Sequence, residues 1–350
     1  MQKLLRFSLL LALLIVPAIA QRDIGSVEVI ADNKTLPVRV SATTPELNAL
    51  ALQAFGTHGR YRVVASGFAY DIKFSAVTPT QVRVDVVKTA GGASVVSEVV
   101  TGANVRNALL RAADVAVAKT NGLGLRGYFA SKMAFVSERT GKKEIYTADI
   151  LFGGVQQITR DNAITLGPRW SPDGKSILYS MAIAGNTDVY RVPATGGDSV
   201  KLTDSPGIDV GGSFSPDGTK IVFESDRSGS QQIYVMNADG TNQKRVSFFG
   251  GRAATPEWSP RGDQIAFTHI VGNLRIAVMN PGGGDMRYLT DSWQDEAPTW
   301  SPNGRIIQFF RTAKSSGRTS IWQVDLTGRN ERRLNTPVDA SDPAWGPVLP

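Results

Sequence analysis

A motif of the form Pro/Gly-x-aromatic-Ser-Pro-x-Gly recurs through the second half of the chain, and nothing else in the sequence restricts the fold as much. It reads Pro168-Arg-Trp-Ser-Pro-Asp-Gly174, Gly212-Ser-Phe-Ser-Pro-Asp-Gly218, Pro256-Glu-Trp-Ser-Pro-Arg-Gly262 and Pro298-Thr-Trp-Ser-Pro-Asn-Gly304, with a truncated copy at Pro343-Ala-Trp-Gly-Pro347. The aromatics Trp170, Phe214, Trp258, Trp300 and Trp345 are spaced by 44, 44, 42 and 45 residues. That period suits the four-stranded blade of a β-propeller and lies outside most helical repeats.

The chemistry within each repeat agrees. Proline presets φ for the second turn position, and Asp and Gly tolerate the tight conformations that follow, so each Ser-Pro-x-Gly closes a hairpin. A β-branched and aromatic run comes next: Ile177-Leu-Tyr179, Ile221-Val-Phe223, Ile265-Ala-Phe267 and Ile306-Ile-Gln-Phe309. A second run follows, such as Ile233-Tyr-Val-Met236 or Ile321-Trp-Gln-Val324, and turns at Asn237-Ala-Asp-Gly240 and Asp325-Leu-Thr-Gly328 lead on. Short last strands are expected at Lys201-Leu-Thr203, Arg245-Val-Ser247 and Tyr288-Leu-Thr290.

Met133-Ala-Phe-Val136, Ile145-Tyr146 and Gln157-Ile-Thr159 supply three strands of a blade without its own Pro-x-Trp strand, and the C-terminus supplies that strand alone. The two ends are expected to complete one blade, closing the ring and removing an open edge. The count is five blades. The repeated aromatics read as core between neighbouring blades, not as a ligand cage.

Residues 21–127 lack the repeat and read as a small α/β domain ahead of a propeller over 128–350. Thr43-Thr44-Pro45-Glu46 starts a helix with Leu47, Leu50, Leu52 and Phe55 as its apolar face. Strands are expected at Arg62–Val64, Tyr70–Phe74, Val82–Val86 and Val95–Val100, with Ala90-Gly-Gly-Ala93 as a hairpin turn. Asn104 caps a second helix with a stripe of Val105, Ala108, Leu109, Ala112, Ala113, Ala116 and Val117, and Asn121-Gly-Leu-Gly124 is the expected hinge. Val27-Glu-Val-Ile30 is either an ordinary first strand or an arm that adds itself to a partner.

Residues 1–20 have the form of a cleaved secretory signal: Lys3 and Arg6, the apolar run Leu9 to Val16, and Ala18-Ile19-Ala20. The run is shorter than the roughly 20 residues of a spanning helix. Without these residues 36 basic and 31 acidic side chains remain, a formal charge of +5. No Lys/Arg block is interleaved with aromatics, so nucleic acid is not an expected partner. With no cysteine, disulfides, thiolate metal sites and Cys nucleophiles are excluded.

The leader, the small α/β domain and the Trp-Ser-Pro-Asp-Gly propeller ending in Asp342-Pro-Ala-Trp345 together resemble the TolB family, periplasmic components of the Tol-Pal cell-envelope system. The propeller motif alone also resembles prolyl oligopeptidases. The TolB resemblance implies a protein-binding scaffold with roles in cell division and protein import. One propeller face would dock a Pal-type peptidoglycan-associated lipoprotein, and an N-terminal segment would engage a TolA-like inner-membrane protein. Carried over by position, the first surface takes in Asp209, Thr255, Glu296, Ala297 and Asp342; the second lies within Asp23 to Asp32 and includes Val27, Val29 and Ile30. The family has six blades, the alternative to the count of five, and a longer N-terminal domain. A monomer is expected.

No catalytic set stands out. His58 and His269 are far apart, no Gly-x-Ser-x-Gly elbow occurs, and no segment is long enough for a hydrolase domain. His269 is expected at the surface, just after a strand. Asp161, Asp204, Asp209, Asp291, Asp295, Glu296, Asp339 and Asp342 fall in the inter-blade loops, so channel-mouth carboxylates that bind Ca²⁺ or act on a glycan form the rival reading. A solvated rim is expected instead, because no Ca²⁺-loop spacing is present. Gly282-Gly-Gly284 is a turn, with no strand-to-helix context for phosphate.

Overall fold

Five radial β-sheets follow a small α/β layer in the computed structural model, which describes residues 35–58, 60–120, 129–301 and 304–334. The leader, the segment Asp23 to Asp32, the hinge at Asn121–Gly124 and the C-terminal strand with Asp342 and Trp345 lie outside the described residues.

The α/β layer is one sheet of order β2-β1-β3-β4-β5. Its strands are β1 (Leu36–Ala42), β2 (Tyr61–Val63), β3 (Tyr70–Thr78), β4 (Gln81–Lys88) and β5 (Ser94–Thr101); helices α1 (Pro45–Thr57) and α2 (Val105–Thr120) pack on it. β1 sits inside the sheet, parallel to β2 and β3, with Val38 and Val40 buried. Its alternation is short and interrupted by Pro37, so no local pattern marks it as a strand. Both helix starts are capped as expected: Thr44 Oγ1 accepts from Leu47 N at 3.3 Å and Asn104 Oδ1 from Asn107 N at 2.9 Å. On α1, Leu47, Leu50, Ala51, Ala54 and Phe55 are buried, whereas Leu52 points to solvent. Leu52 is a correction to the expected apolar face. Its place is taken by small Ala51 and Ala54, which let the helix approach the sheet closely.

Blade 1 has three strands, β6 (Lys132–Ser137), β7 (Glu144–Asp149) and β8 (Gln156–Gln157). Blade 2 runs β9 (Ile164–Trp170), β10 (Ser176–Ile183), β11 (Asn186–Pro193) and β12 (Val200–Lys201). Blade 3 runs β13 (Asp209–Phe214), β14 (Lys220–Ser225), β15 (Gln232–Asn237) and β16 (Lys244–Arg245). Blade 4 runs β17 (Arg252–Trp258), β18 (Ile265–Val271), β19 (Asn273–Met279) and β20 (Arg287–Tyr288). Blade 5 runs β21 (Asp295–Trp300), β22 (Ile306–Thr312), β23 (Thr319–Asp325) and β24 (Arg332–Arg333).

One register repeats: Trp170, Phe214, Trp258 and Trp300 stand opposite Ile177, Ile221, Ile265 and Ile307. The turns between them are built from side chains as well as backbone. Ser171 Oγ donates to Asp173 Oδ1 at 2.6 Å and accepts from Ser176 N at 2.9 Å, and Ser215 does the same with Asp217 and Lys220. Each aromatic packs with the preceding blade, as Trp300 does with Ile276, Val278 and Leu289. Phe223, Phe267 and Phe309 are fully buried, worth about 1.5–3 kcal/mol each. Outer strands are only two residues long, but a hydroxyl pins each of the first four: Thr159, Thr203, Ser247 and Thr290 Oγ accept from Ile145, Val189, Ile233 and Ile276 N at 2.9–3.0 Å.

From Leu36 onward the layer and the blades belong to one compact unit. Asp114 on α2 accepts from Phe129 N and Ala130 N at 2.8 and 2.9 Å, and Arg106 on α2 reaches Asp149 in blade 1. Among the described residues no helix is long and apolar enough to cross a membrane.

Candidate docking face of the propeller

Because strands within a blade alternate in direction, each inner strand starts where the second strand ends, as Ile164 opposite Ala182 and Arg252 opposite Ile270 show. Bridges Thr187 to Ile208 and Leu274 to Gln294 bring these ends together between blades. The inter-blade loops therefore share one face.

That face is shaped by a repeated break in the inner strand. Gly167, Gly211, Thr255 and Ala297 have φ of 60°, 66°, 50° and 51°, and the pairing register shifts around each. These are bulges with a left-handed residue. For Thr255, branched at Cβ, that conformation is strained by about 1–3 kcal/mol and must be held by its surroundings. The preceding blade does part of the holding. Ser180 Oγ accepts from Gly211 N at 2.9 Å, Glu224 Oε2 from Thr255 N at 2.9 Å, and Thr268 Oγ1 from Ala297 N at 3.2 Å. Thr255 Oγ1 lies 2.8 Å from Thr268 Oγ1, so blades 3, 4 and 5 are joined by one run of hydrogen bonds. Ser180, Glu224 and Thr268 were not anticipated. Their signal is available in the sequence, as the one polar residue ending each of three apolar runs 44 residues apart.

Burial raises the Glu224 carboxyl above its ordinary value; the Thr255 N–H and Gln231 oppose this, Asp226 adds to it and Arg252 lowers it. A raised native pKa makes a contribution that is whole below the unfolded value, near 4.3, and is lost as pH rises through the native one. Glu224→Gln keeps an acceptor for Thr255 N and removes the charge. The variant is expected to be more stable than the parent at pH 7, with the difference closing as pH falls through the raised native value and constant below about 4.3, as followed by urea unfolding at several pH values.

The remaining sequence-derived residues divide. Asp209 and Asp295 lie beneath the face, 1% and 0% exposed, and each is held by an arginine of its own blade. Arg227 Nη2 donates to Asp209 at 2.7 Å; Arg311 Nε and Nη2 donate to Asp295 at 2.6 and 2.8 Å, and Arg311 Nη1 to Glu331 at 2.6 Å. Glu296 accepts from Gln294 Nε2 at 2.7 Å. Asp161 accepts from Tyr179 Oη at 2.6 Å, Asp204 pairs with Lys201, and Asp291 pairs with Arg275. Among the described residues no three His, Cys, Asp or Glu side chains come together to hold a metal. His269 is a correction: β18 continues through it, and it is buried, with Nδ1 2.7 Å from Tyr288 Oη and Nε2 2.7 Å from Gly250 O. The apolar run ends at Phe267, which hid the continuation of the strand.

Above this scaffold the face mixes exposed acids such as Asp204 and Asp291 with large apolar side chains. Ile164, Leu166, Ile183, Ile208, Phe248, Val271 and Trp293 all lie at this end of the strands, 41–74% exposed. The guanidinium of Arg245 sits 5.3 Å from the Phe248 ring, and Lys314 Nζ 4.5 Å from Trp293. Contiguous apolar patches of more than a few hundred Å² are rare on monomers, and the gathering of these large side chains at one end of the strands makes this face the candidate docking surface.

Comparison with known proteins identifies the family of the propeller. The family model described as TolB beta propeller domain matches residues 129–349. The Tol-Pal system protein TolB 1 of Novosphingobium aromaticivorans is 87% identical over 85 residues, 24% of this chain and 19% of that one. The Tol-Pal system protein TolB of Rhizorhabdus wittichii is 58% identical over 84 residues, again 24% and 19%. The chain thus spans about a fifth of the length of these curated relatives. Among solved structures, TolB from Acinetobacter baumannii aligns with a TM-score of 0.51 at 20% identity, covering 90% of this chain and 97% of that one. A putative TolB from Agrobacterium tumefaciens aligns with a TM-score of 0.54 at 23% identity, covering 61% and 79%. These likenesses concern the fold.

Proposed function

Since the chain belongs to the TolB β-propeller family, we propose that it is a periplasmic protein-binding scaffold of a Tol-Pal-type envelope system, without catalysis of its own. The loop face receives a Pal-type lipoprotein. The segment Asp23 to Asp32 engages a TolA-like inner-membrane protein after export and removal of residues 1–20. The observation that carries this reading is the crowding of large exposed hydrophobics onto the one face whose strained backbone positions, Thr255 and Ala297, are fixed by neighbouring blades.

The chemistry of the loop carboxylates supports binding over catalysis. A retaining or inverting glycosidase needs two carboxyl groups free to reach one bond. Here Asp209 and Asp295 are buried against arginines, and Asp204 and Asp291 are paired with cations. Affinity purification of the mature protein from envelope extract tests the partner. A Pal-type lipoprotein is expected among the recovered proteins, and its absence under gentle conditions counts against the assignment.

A further inference from the structure

The turn before the outermost strand has the same hydrogen bond in every blade, closed by Phe152 N to Asp149 O in blade 1 and by Gly196, Gly240, Gly283 and Gly328 N in the others. Those four glycines have φ of 84°, 90°, 90° and 78°; Phe152, in the same slot, has φ 57°. A left-handed L-residue is strained, and this one is a large aromatic with 62% of its surface exposed, resting edge-on against Phe135 at 5.6 Å. Core packing does not account for it.

The turn that carries Phe152 forms one wall of a cavity of about 460 Å³ between α2 and blade 1. Its acid is spent: Asp149 takes Arg106 Nε at 2.5 Å and Nη2 at 3.2 Å, and accepts from Leu151 and Gly153 N. Gly153 is needed for that pair, because a Cβ there would fall 2.2–2.4 Å from the Arg106 guanidinium. Arg111 and Lys132 also line the cavity, and among the described residues no carboxylate is paired with either. Leu110 and Ala148 add apolar wall. The result is a recess with two uncommitted cations, no free acid and an exposed aromatic on the adjoining turn. Its volume is that of a small-ligand site.

We propose that this recess binds a short peptide bearing carboxylates and an apolar side chain, the carboxylates meeting Arg111 and Lys132 and the side chain meeting Phe152. The site is distinct from the loop face and does not depend on what docks there.

Calorimetric titration of the mature full-length chain with acetyl-Glu-Phe-Glu as the free acid tests it. Saturable binding is expected, weakened about tenfold or more in Arg111→Ala/Lys132→Ala and between low and 1 M salt, where the Debye length falls to about 3 Å. Phe152→Gly separates a binding role from a structural one, since glycine suits the slot: this variant is expected to melt higher than the parent and to bind more weakly. The amidated Gln-Phe-Gln peptide and inorganic phosphate serve as controls and are expected not to saturate. No saturation by the acidic peptide up to about 10 mM, equal binding by either control, or undiminished binding by Phe152→Gly overturns the proposal.

Discussion

Replacing Asp295 by alanine is expected to lower the free energy of unfolding by about 3–5 kcal/mol, the cost of breaking a buried ion pair from one side. The Asp295 side chain is wholly buried and both its oxygens take Arg311. The arginine is fixed on its other faces by Glu331 and by the Trp322 ring, 4.3 Å from Cζ. Once the aspartate is gone, the guanidinium keeps its desolvation and loses its main compensation. Asp295→Asn preserves shape but not charge and is expected to cost nearly as much. The double variant Asp295→Leu/Arg311→Met, which removes both charges and keeps volume, is expected to lose less than either single change. Urea unfolding of the set measures this. A loss below about 1 kcal/mol for Asp295→Ala would be the value of an exposed pair and would contradict the burial argument.

Gly283→Ala is expected to cost roughly 2–5 kcal/mol, from a left-handed alanine together with a steric conflict. Its φ is 90°, and a Cβ would lie 1.7 Å from the Val246 carbonyl oxygen on the outer edge of blade 3. Gly229 isolates the first component. Its φ is 94°, but nothing lies within 4 Å of the added carbon, so Gly229→Ala is expected to cost only about 1–2 kcal/mol. The difference between the two urea midpoints reports how tightly blades 3 and 4 are seated. Equal losses would mean that the blades part freely at this seam.

The propeller was legible because its turns carry their own chemistry. Ser-Pro-Asp-Gly fixes a hairpin locally, and the Ile-rich run after it can only be the next strand, so blade boundaries follow from spacing. The helix caps at Thr44 and Asn104 were readable for the same reason. Long-range parallel pairing left little trace: β1 looks like a short polar-apolar stretch until β2 and β3 flank it. The site was harder still. The left-handed state of Thr255 is held in part by Glu224, 31 residues earlier on another blade, and no local propensity predicts it. Asp209 and Asp295 illustrate the opposite hazard. Loop acids read as a solvated rim turn out to be anchors, because the arginines that bury them arrive 18 and 16 residues later.

Titration of residues 21–350 with the soluble domain of a Pal-type lipoprotein from the same organism tests most directly whether the loop face is a protein-binding surface. Saturable binding is predicted for the parent, weakened about a hundredfold in Phe248→Asp/Trp293→Asp, while the double variant stays folded with a melting temperature lower by only a few degrees, since Phe248 is 74% and Trp293 46% exposed. No binding by the parent, or equal binding by the folded double variant, would contradict it.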